Sequence, residues 1–154
     1  SPMTDELKTD KEEDADELFQ QHIEAQCKRL RILGFTGTPI IRGNLNAMDK
    51  SLLPSLQTVC TEILNNIAKH GKPGAFAFIL SVGPDAVRIF ASNLYNAAIN
   101  SAPENHYGTA LIQDFAQQHN GTMTINSENE EWSLSLTIPL AHQVKLMFSP
   151  TEKL

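Results

Sequence analysis

The chain has 154 residues, a size that suits one domain with a sizeable core, and a formal net charge of −6. Residues 1–20 hold eight acids against Lys8 and Lys11, which accounts for the whole −6, while the other 134 residues carry ten acids and ten Lys/Arg. A neutral body without a basic stripe excludes nucleic acid as the partner, and no apolar run approaches the roughly 20 residues that span a bilayer.

Ser1-Pro2-Met3 reads as a tag remnant, and residues 1–17 as an acidic linker that is poorly ordered, 4–13 being charged, aperiodic and either disordered or a frayed helix. From Asp14 the spacing predicts a helix with Leu18, Phe19, Ile23, Cys27, Leu30 and Leu33 as its apolar stripe, acids at its start, basic residues near its end and Gly34 beyond. A short strand follows near Thr38–Arg42, where Pro39 points to a sheet edge. The next helix runs from about Leu52 to His70, with Asp49 or Ser51 as cap, Pro54 in its first turn and Gly71 as its stop.

This second helix carries an unusual polar face. At about 100° per residue, Glu62, Asn66 and Lys69 fall within about 60° of one another, beside an apolar stripe of Leu52, Leu56, Val59, Ile63 and Ile67. Two adjacent asparagines, Asn65 and Asn66, cost a helix roughly 1 kcal/mol relative to alanine. A carboxylate, an amide and a cation along the rim of a core suit a binding site with a hydrophobic floor, and equally a solvated helix face that happens to contain asparagine.

Ala75–Val82 and Ala86–Ser92 read as strands around the turn Gly83-Pro84-Asp85, with Val87, Ile89, Ala91 and then Asn93 on one face. Residues 93–107 have no period, and a loop of about 15 residues in a small domain is usually a lid, a binding loop or disordered. Gly108–His119 is a helix with Leu111, Phe115 and Ala116 inward, ending at Asn120-Gly121. Two strands near Thr122–Asn126 and Trp132–Ile138 follow, the latter burying Trp132, Leu134, Leu136 and Ile138, and residues 141–154 form a C-terminal tail. The order specifies an α/β (α+β) sandwich, with helices on one face of a mixed, mostly antiparallel sheet. Cys27 and Cys60 fall on helices without metal-ligand spacing, so buried, reduced thiols and a cytoplasmic setting are expected.

Over residues 18–140 the chain resembles the ATP-binding domain of two-component sensor histidine kinases, members of the GHKL (Bergerat-fold) superfamily. The family's E-x-x-x-N-x-x-(K/R)-H box matches Glu62, Asn66, Lys69 and His70. Asn93 stands where the strand before the family's lid ends in Asp or Asn. The G-T-G-L box that closes the lid stands as Gly108-Thr109-Ala110-Leu111, and the H-G-G before the penultimate strand as His119-Asn120-Gly121. The resemblance implies that Mg²⁺ and ATP are bound, with Asn66 as the metal ligand, one amide oxygen joining phosphate oxygens and waters. Glu62 is the expected catalytic residue, accepting a proton or positioning a water. Lys69, His70, Asn93, Gly108, Thr109, Ala110 and Leu111 are the expected nucleotide contacts, Asn93 at the adenine edge and Gly108 with the following helix N-terminus at the phosphates. The implied partners are a histidine-bearing dimerisation domain of the same full-length protein and a response regulator, with no membrane contact by this domain itself.

Ordinary structural roles also suit several of these residues. Asn93 can cap a turn, Lys69 can be a solvated helix-end cation, His70 a cap or rim histidine and Thr109 an N-cap. His22 lies on the apolar stripe between neighbours that do not match a phosphoacceptor box, so it is read as structural. The family's lid-side Asp-x-Gly-x-Gly is absent from Asn93-Leu94-Tyr95-Asn96-Ala97, Ala110 replaces a glycine, and Glu131-Trp132 replaces the Gly-Thr that often opens the last strand. These departures leave two alternatives: a non-catalytic GHKL-fold interaction module, and a related GHKL serine kinase or ATPase.

Overall fold

The computed structural model describes residues 2–95 and 109–140, with side chains from Ala15 onward. In chain order these form α1 (Pro2–Ile32), β1 (Ile40–Gly43), a 3₁₀ turn (Leu45–Ala47), α2 (Leu52–His70), β2 (Gly71–Val82), β3 (Ala86–Tyr95), α3 (Thr109–Gln118), β4 (Thr122–Glu128) and β5 (Glu131–Pro139). The strands make one five-stranded sheet in the order β1-β2-β3-β5-β4. β1 is parallel to β2 and every other pairing is antiparallel, so the expected mixed, mostly antiparallel sheet is present, with β1 at its edge. The three helices pack on one face of it. Among the described residues no helix is long and apolar enough to cross a membrane.

Strand alternation decides which residues meet the helices. Phe76, Phe78, Leu80 and Val82 on β2, Val87, Ile89 and Ala91 on β3, and Trp132, Leu134, Leu136 and Ile138 on β5 are buried inward. From the helices come Phe19, Ile23, Cys27 and Leu30 of α1, Leu56, Val59, Cys60, Ile63, Leu64 and Ile67 of α2, and Ile112, Phe115 and Ala116 of α3. Cys27 and Cys60 are both free and buried, as expected. Desolvation in this core, with Glu24 nearby, pushes the Cys27 thiol up to about 12, and desolvation raises Cys60 further still.

Several boundaries and faces differ from the sequence reading. α1 begins at Pro2 rather than near Asp14, so residues 4–13 are helical: after Pro2, which the first helical turn tolerates, the segment contains neither Pro nor Gly. Leu18 lies about 100° from the Phe19–Leu30 stripe and is exposed, and Leu33 follows the last helical residue and is half exposed. On α3, Ile112 takes the core position and Leu111 turns outward, because the buried stripe is 112, 115, 116. Ser51 is the residue before α2 but makes no side-chain cap; instead Asp49 Oδ1 accepts from Ser51 N–H at 3.1 Å, an Asx turn leading into the helix.

β3 continues through Asn93, Leu94 and Tyr95, where a loop is expected, because Tyr95 N–H donates to the Glu130 carbonyl at 2.9 Å and Leu94 pairs with Glu131. The rest of the expected 93–107 loop, with Gly108 and the 141–154 tail, lies outside the described residues. The Asn120-Gly121 stop divides its labour: Asn120 adopts the left-handed conformation (φ 57°) that ends α3, whereas a Cβ on Gly121 would collide with the Thr137 carbonyl and Ile138 Cδ1 of β5.

Candidate functional site

α2 stands over β2 and β3 because its apolar stripe fills the sheet, and this leaves its other long side toward α3. On that side Ser55, Thr58, Val59, Glu62, Asn66 and Lys69 recur at three- and four-residue intervals within an arc of about 100°. A cleft of about 450 Å³ opens between the first half of this arc and α3, lined by Ser55, Thr58, Val59, Leu111, Asp114, Phe115 and Gln118. Glu62, half-buried, follows on the same arc, and Asn66 follows one turn further on.

Among the described residues, Asn66 and Asn93 are the buried polar ones. Each is 2% exposed, and each has an amide end without a hydrogen-bond partner, Nδ2 of Asn66 and Oδ1 of Asn93. An unpaired buried amide group costs about 1–3 kcal/mol, so two at one end of a core mark a place that favours binding over stability. The other end of Asn93 is committed, Nδ2 donating to the Leu94 carbonyl at 2.7 Å. Asn93 meets the end of α2 at its junction with β2. Gly71, which closes α2 with its N–H on the Ile67 carbonyl, packs directly against the Asn93 amide. Asn93 also borders a hollow of about 290 Å³ with Ala75, Phe76, Ala77, Ser92, Leu94 and Glu131.

Of the residues singled out in the sequence, Glu62, Asn66, Lys69 and His70 lie on the last two and a half turns of α2, with Lys69 exposed and His70 half-buried. Thr109, Ala110 and Leu111 form the first turn of α3, and Leu111, 42% exposed, lines the cleft against the Ser55–Val59 part of α2. Gly108 lies outside the described residues. The sequence reading missed Ser55, Thr58, Asp114 and Gln118, although the first two sit on the arc of Glu62 and Asn66 and extending that arc backward by two turns finds them. Among the described residues no three His, Cys, Asp or Glu side chains converge on a metal position. A cation held here would depend on an amide oxygen and on oxygens brought by the ligand, a donor set that suits Mg²⁺.

α1 braces α2 behind this face. Arg29 donates to Asn65 Oδ1 at 3.2 Å, and His22 Nε2 lies 2.7 Å from Thr61 Oγ1. Arg31 pairs with Glu24 and donates to the Gly37 carbonyl at 2.9 Å, tying the end of α1 to the chain before β1.

No family model and no curated protein sequence matches the chain. Solved structures do. The catalytic domain of histidine kinase ThkA, in a nucleotide-free form, is similar with a TM-score of 0.61 at 12% identity, over 81% of this chain and 93% of that one. The histidine kinase AdeS of Acinetobacter baumannii matches with a TM-score of 0.60 at 11% identity, over 79% of this chain and 62% of its own. The blue-light activated histidine kinase EL346 of Erythrobacter litoralis matches with a TM-score of 0.56 at 11% identity, over 79% of this chain and 41% of its own. The chain thus spans less than two thirds of the two longer kinases and nearly all of the isolated catalytic domain. Its three helices on a mixed five-stranded sheet are the fold of histidine kinase catalytic domains.

Proposed function

We propose that this chain is the ATP-binding, catalytic domain of a sensor histidine kinase, acting in the cytoplasm on a histidine carried by a separate dimerisation domain. The observation that carries the reading is the pair of buried asparagines with unpartnered amide ends, where α2 meets β2 and β3, in a fold shared with histidine kinase catalytic domains. Asn66, whose unpartnered end is Nδ2, would offer the other end of its amide, Oδ1, to Mg²⁺, and Asn93 its Oδ1 to the adenine edge. Bound Mg·ATP would supply the transferable γ-phosphoryl group.

The chain's own groups would then do three things. Lys69, exposed at the helix end, would neutralise phosphate charge. Glu62, one turn before Asn66, would accept the proton released when an imidazole nitrogen attacks phosphorus, ADP being the other product. The first turn of α3, with Thr109 and Ala110, would present its N–H groups to the phosphates. A response regulator would take the phosphoryl group onward from the histidine.

The deciding experiment is a calorimetric titration of the protein with Mg·ATP. Saturable binding that weakens at least about tenfold in Asn66→Ala supports the reading. No binding at millimolar nucleotide overturns it in favour of a non-catalytic interaction module, the reading that the missing Asp-x-Gly-x-Gly glycines favour.

A further inference from the structure

All three helices pack on one face of the sheet, and among the described residues no element covers the other. The side chains that alternate with the buried ones form rows across this open face. Arg88 stands in the first row, Ile79 and Phe90 in the second, Ala77 and Ser92 in the third, Leu94 and Glu131 in the fourth. Phe90 is 39% exposed and Leu94 38%. The two middle rows differ in size, so Ile79 and Phe90 stand proud of Ala77 and Ser92. The hollow of about 290 Å³ that Asn93 borders opens here, against Ala77, Ser92, Leu94 and Glu131. The two ends differ in charge. Arg88 and Glu131 are separated by six residues along β3, roughly 20 Å, too far to pair within one chain. Large meets small, and positive meets negative, when this face is turned end for end upon itself.

We infer that the open sheet face binds a second copy of this chain, as a two-fold dimer with Phe90 of each copy seated in the hollow of the other. The two-fold axis lies in the face and crosses β3 at Ala91, so it reverses the strand direction while each strand stays opposite itself. Phe90 and Ile79 of each copy then lie over Ser92 and Ala77 of the other, and Arg88 of each reaches Glu131 of the other. Sheets stacked in this way keep their strands within about 30° and interdigitate their side chains. The face spans roughly 20 Å each way, the size of a weak, reversible interface rather than an obligate one. The inference goes beyond the nucleotide reading and does not depend on it.

Sedimentation equilibrium of the chain between about 10 μM and about 1 mM tests this. Wild type is expected to be monomeric at the low end and mostly dimeric at the high end. Phe90→Ser, Arg88→Glu and Glu131→Arg are each expected to weaken the dimer at least about tenfold. The decisive arm mixes the two charge variants. In the mixed dimer one contact is the wild-type pair and the other joins the two reversed charges, so both contacts again set opposite signs together. Association is expected to return to within about threefold of wild type. The double variant Arg88→Glu/Glu131→Arg is expected to dimerise alone for the same reason. A dimer indifferent to all three substitutions overturns the inference, and so do charge variants that recover neither on mixing nor in combination. Wild type that stays monomeric at about 1 mM also overturns it. Should dimers then appear on deleting residues 141–154, that segment, with its Val144, Leu146 and Phe148, is the occupant of the face instead.

Discussion

His22 of α1 is joined to Thr61 of α2, Nε2 to Oγ1 at 2.7 Å, one residue before Glu62. Thr61 already donates its hydroxyl proton to the Gln57 carbonyl at 2.9 Å, so its oxygen is the acceptor and His22 Nε2 carries the hydrogen. His22 is thereby a structural brace, as its place on the helix stripe indicates. His22→Ala is expected to lower stability by about 1 kcal/mol, measured by urea unfolding, the usual worth of one part-buried hydrogen bond. The isolated chain incubated with radiolabelled Mg·ATP is expected to stay unlabelled; label at His22 would contradict this assignment.

Asn66→Leu separates a binding residue from a structural one. Removing an unpartnered buried amide in favour of an apolar side chain of similar size is expected to leave stability unchanged or raise it by up to about 1 kcal/mol. Nucleotide affinity is expected to disappear in the same variant. A thermal midpoint lowered by several degrees would show that the amide holds the fold together.

Glu62→Gln is expected to leave Mg·ATP affinity within about threefold of wild type, since the change keeps shape and removes only the base. Phosphotransfer by the full-length protein should fall at least about a hundredfold, the low end of what a positioned base contributes. Unchanged phosphotransfer removes Glu62 from that role.

The hairpin between β4 and β5 turns through Asn129 and Glu130, both at positive φ (53° and 63°), between the paired Glu128 and Glu131. A two-residue turn of this hand suits the twist of the strands, but glutamate resists the left-handed region by about 1–2 kcal/mol. Glu130→Gly is expected to stabilise the protein by about 0.5–1 kcal/mol, after the added freedom of the unfolded chain is subtracted. Chemical denaturation midpoints of Glu130→Gly and Glu130→Ala check this, only the glycine giving the gain.

Alkaline pH should act on the core through its thiols. Cys27 is raised from an ordinary value near 9 to about 12 and Cys60 is raised too, so above pH 9 the unfolded chain loses protons that the folded one keeps. Stability from these groups is complete below pH 9 and is lost as pH rises through the folded values, by up to about 1.4 kcal/mol per unit for each thiol. Urea midpoints between pH 8 and 10.5 should fall less steeply in Cys27→Ala, and a thiol reagent at pH 8 should label neither cysteine until the protein unfolds.

Much of this architecture is legible in the sequence because it is local. The bounds of α2 follow from its stripe and from Gly71 and Pro73, and the inward turn of Asn93 follows from its two-residue spacing from Ala91. What is not legible depends on distant partners. Tyr95 remains in a strand because a hairpin 35 residues later offers it the Glu130 carbonyl. Leu111 and Ile112 differ by one helical step, and only the placement of α3 over β4 and β5 decides which is buried. Gly71 reads as an ordinary helix stop, and only the folded chain brings Asn93 against it.

The parallel pairing of β1 with β2 has a dynamic consequence. Parallel neighbours cannot be joined by a hairpin, so α2 is the crossover that returns the chain from one to the other. The ladder of Ile40–Gly43 forms only when that crossover is seated, and the helix bearing Glu62 and Asn66 cannot peel away without releasing the sheet edge. Opening in this region is therefore a cooperative unit of strand, helix and strand. A molecule bound against α2 should slow amide exchange along β1, at positions it never touches.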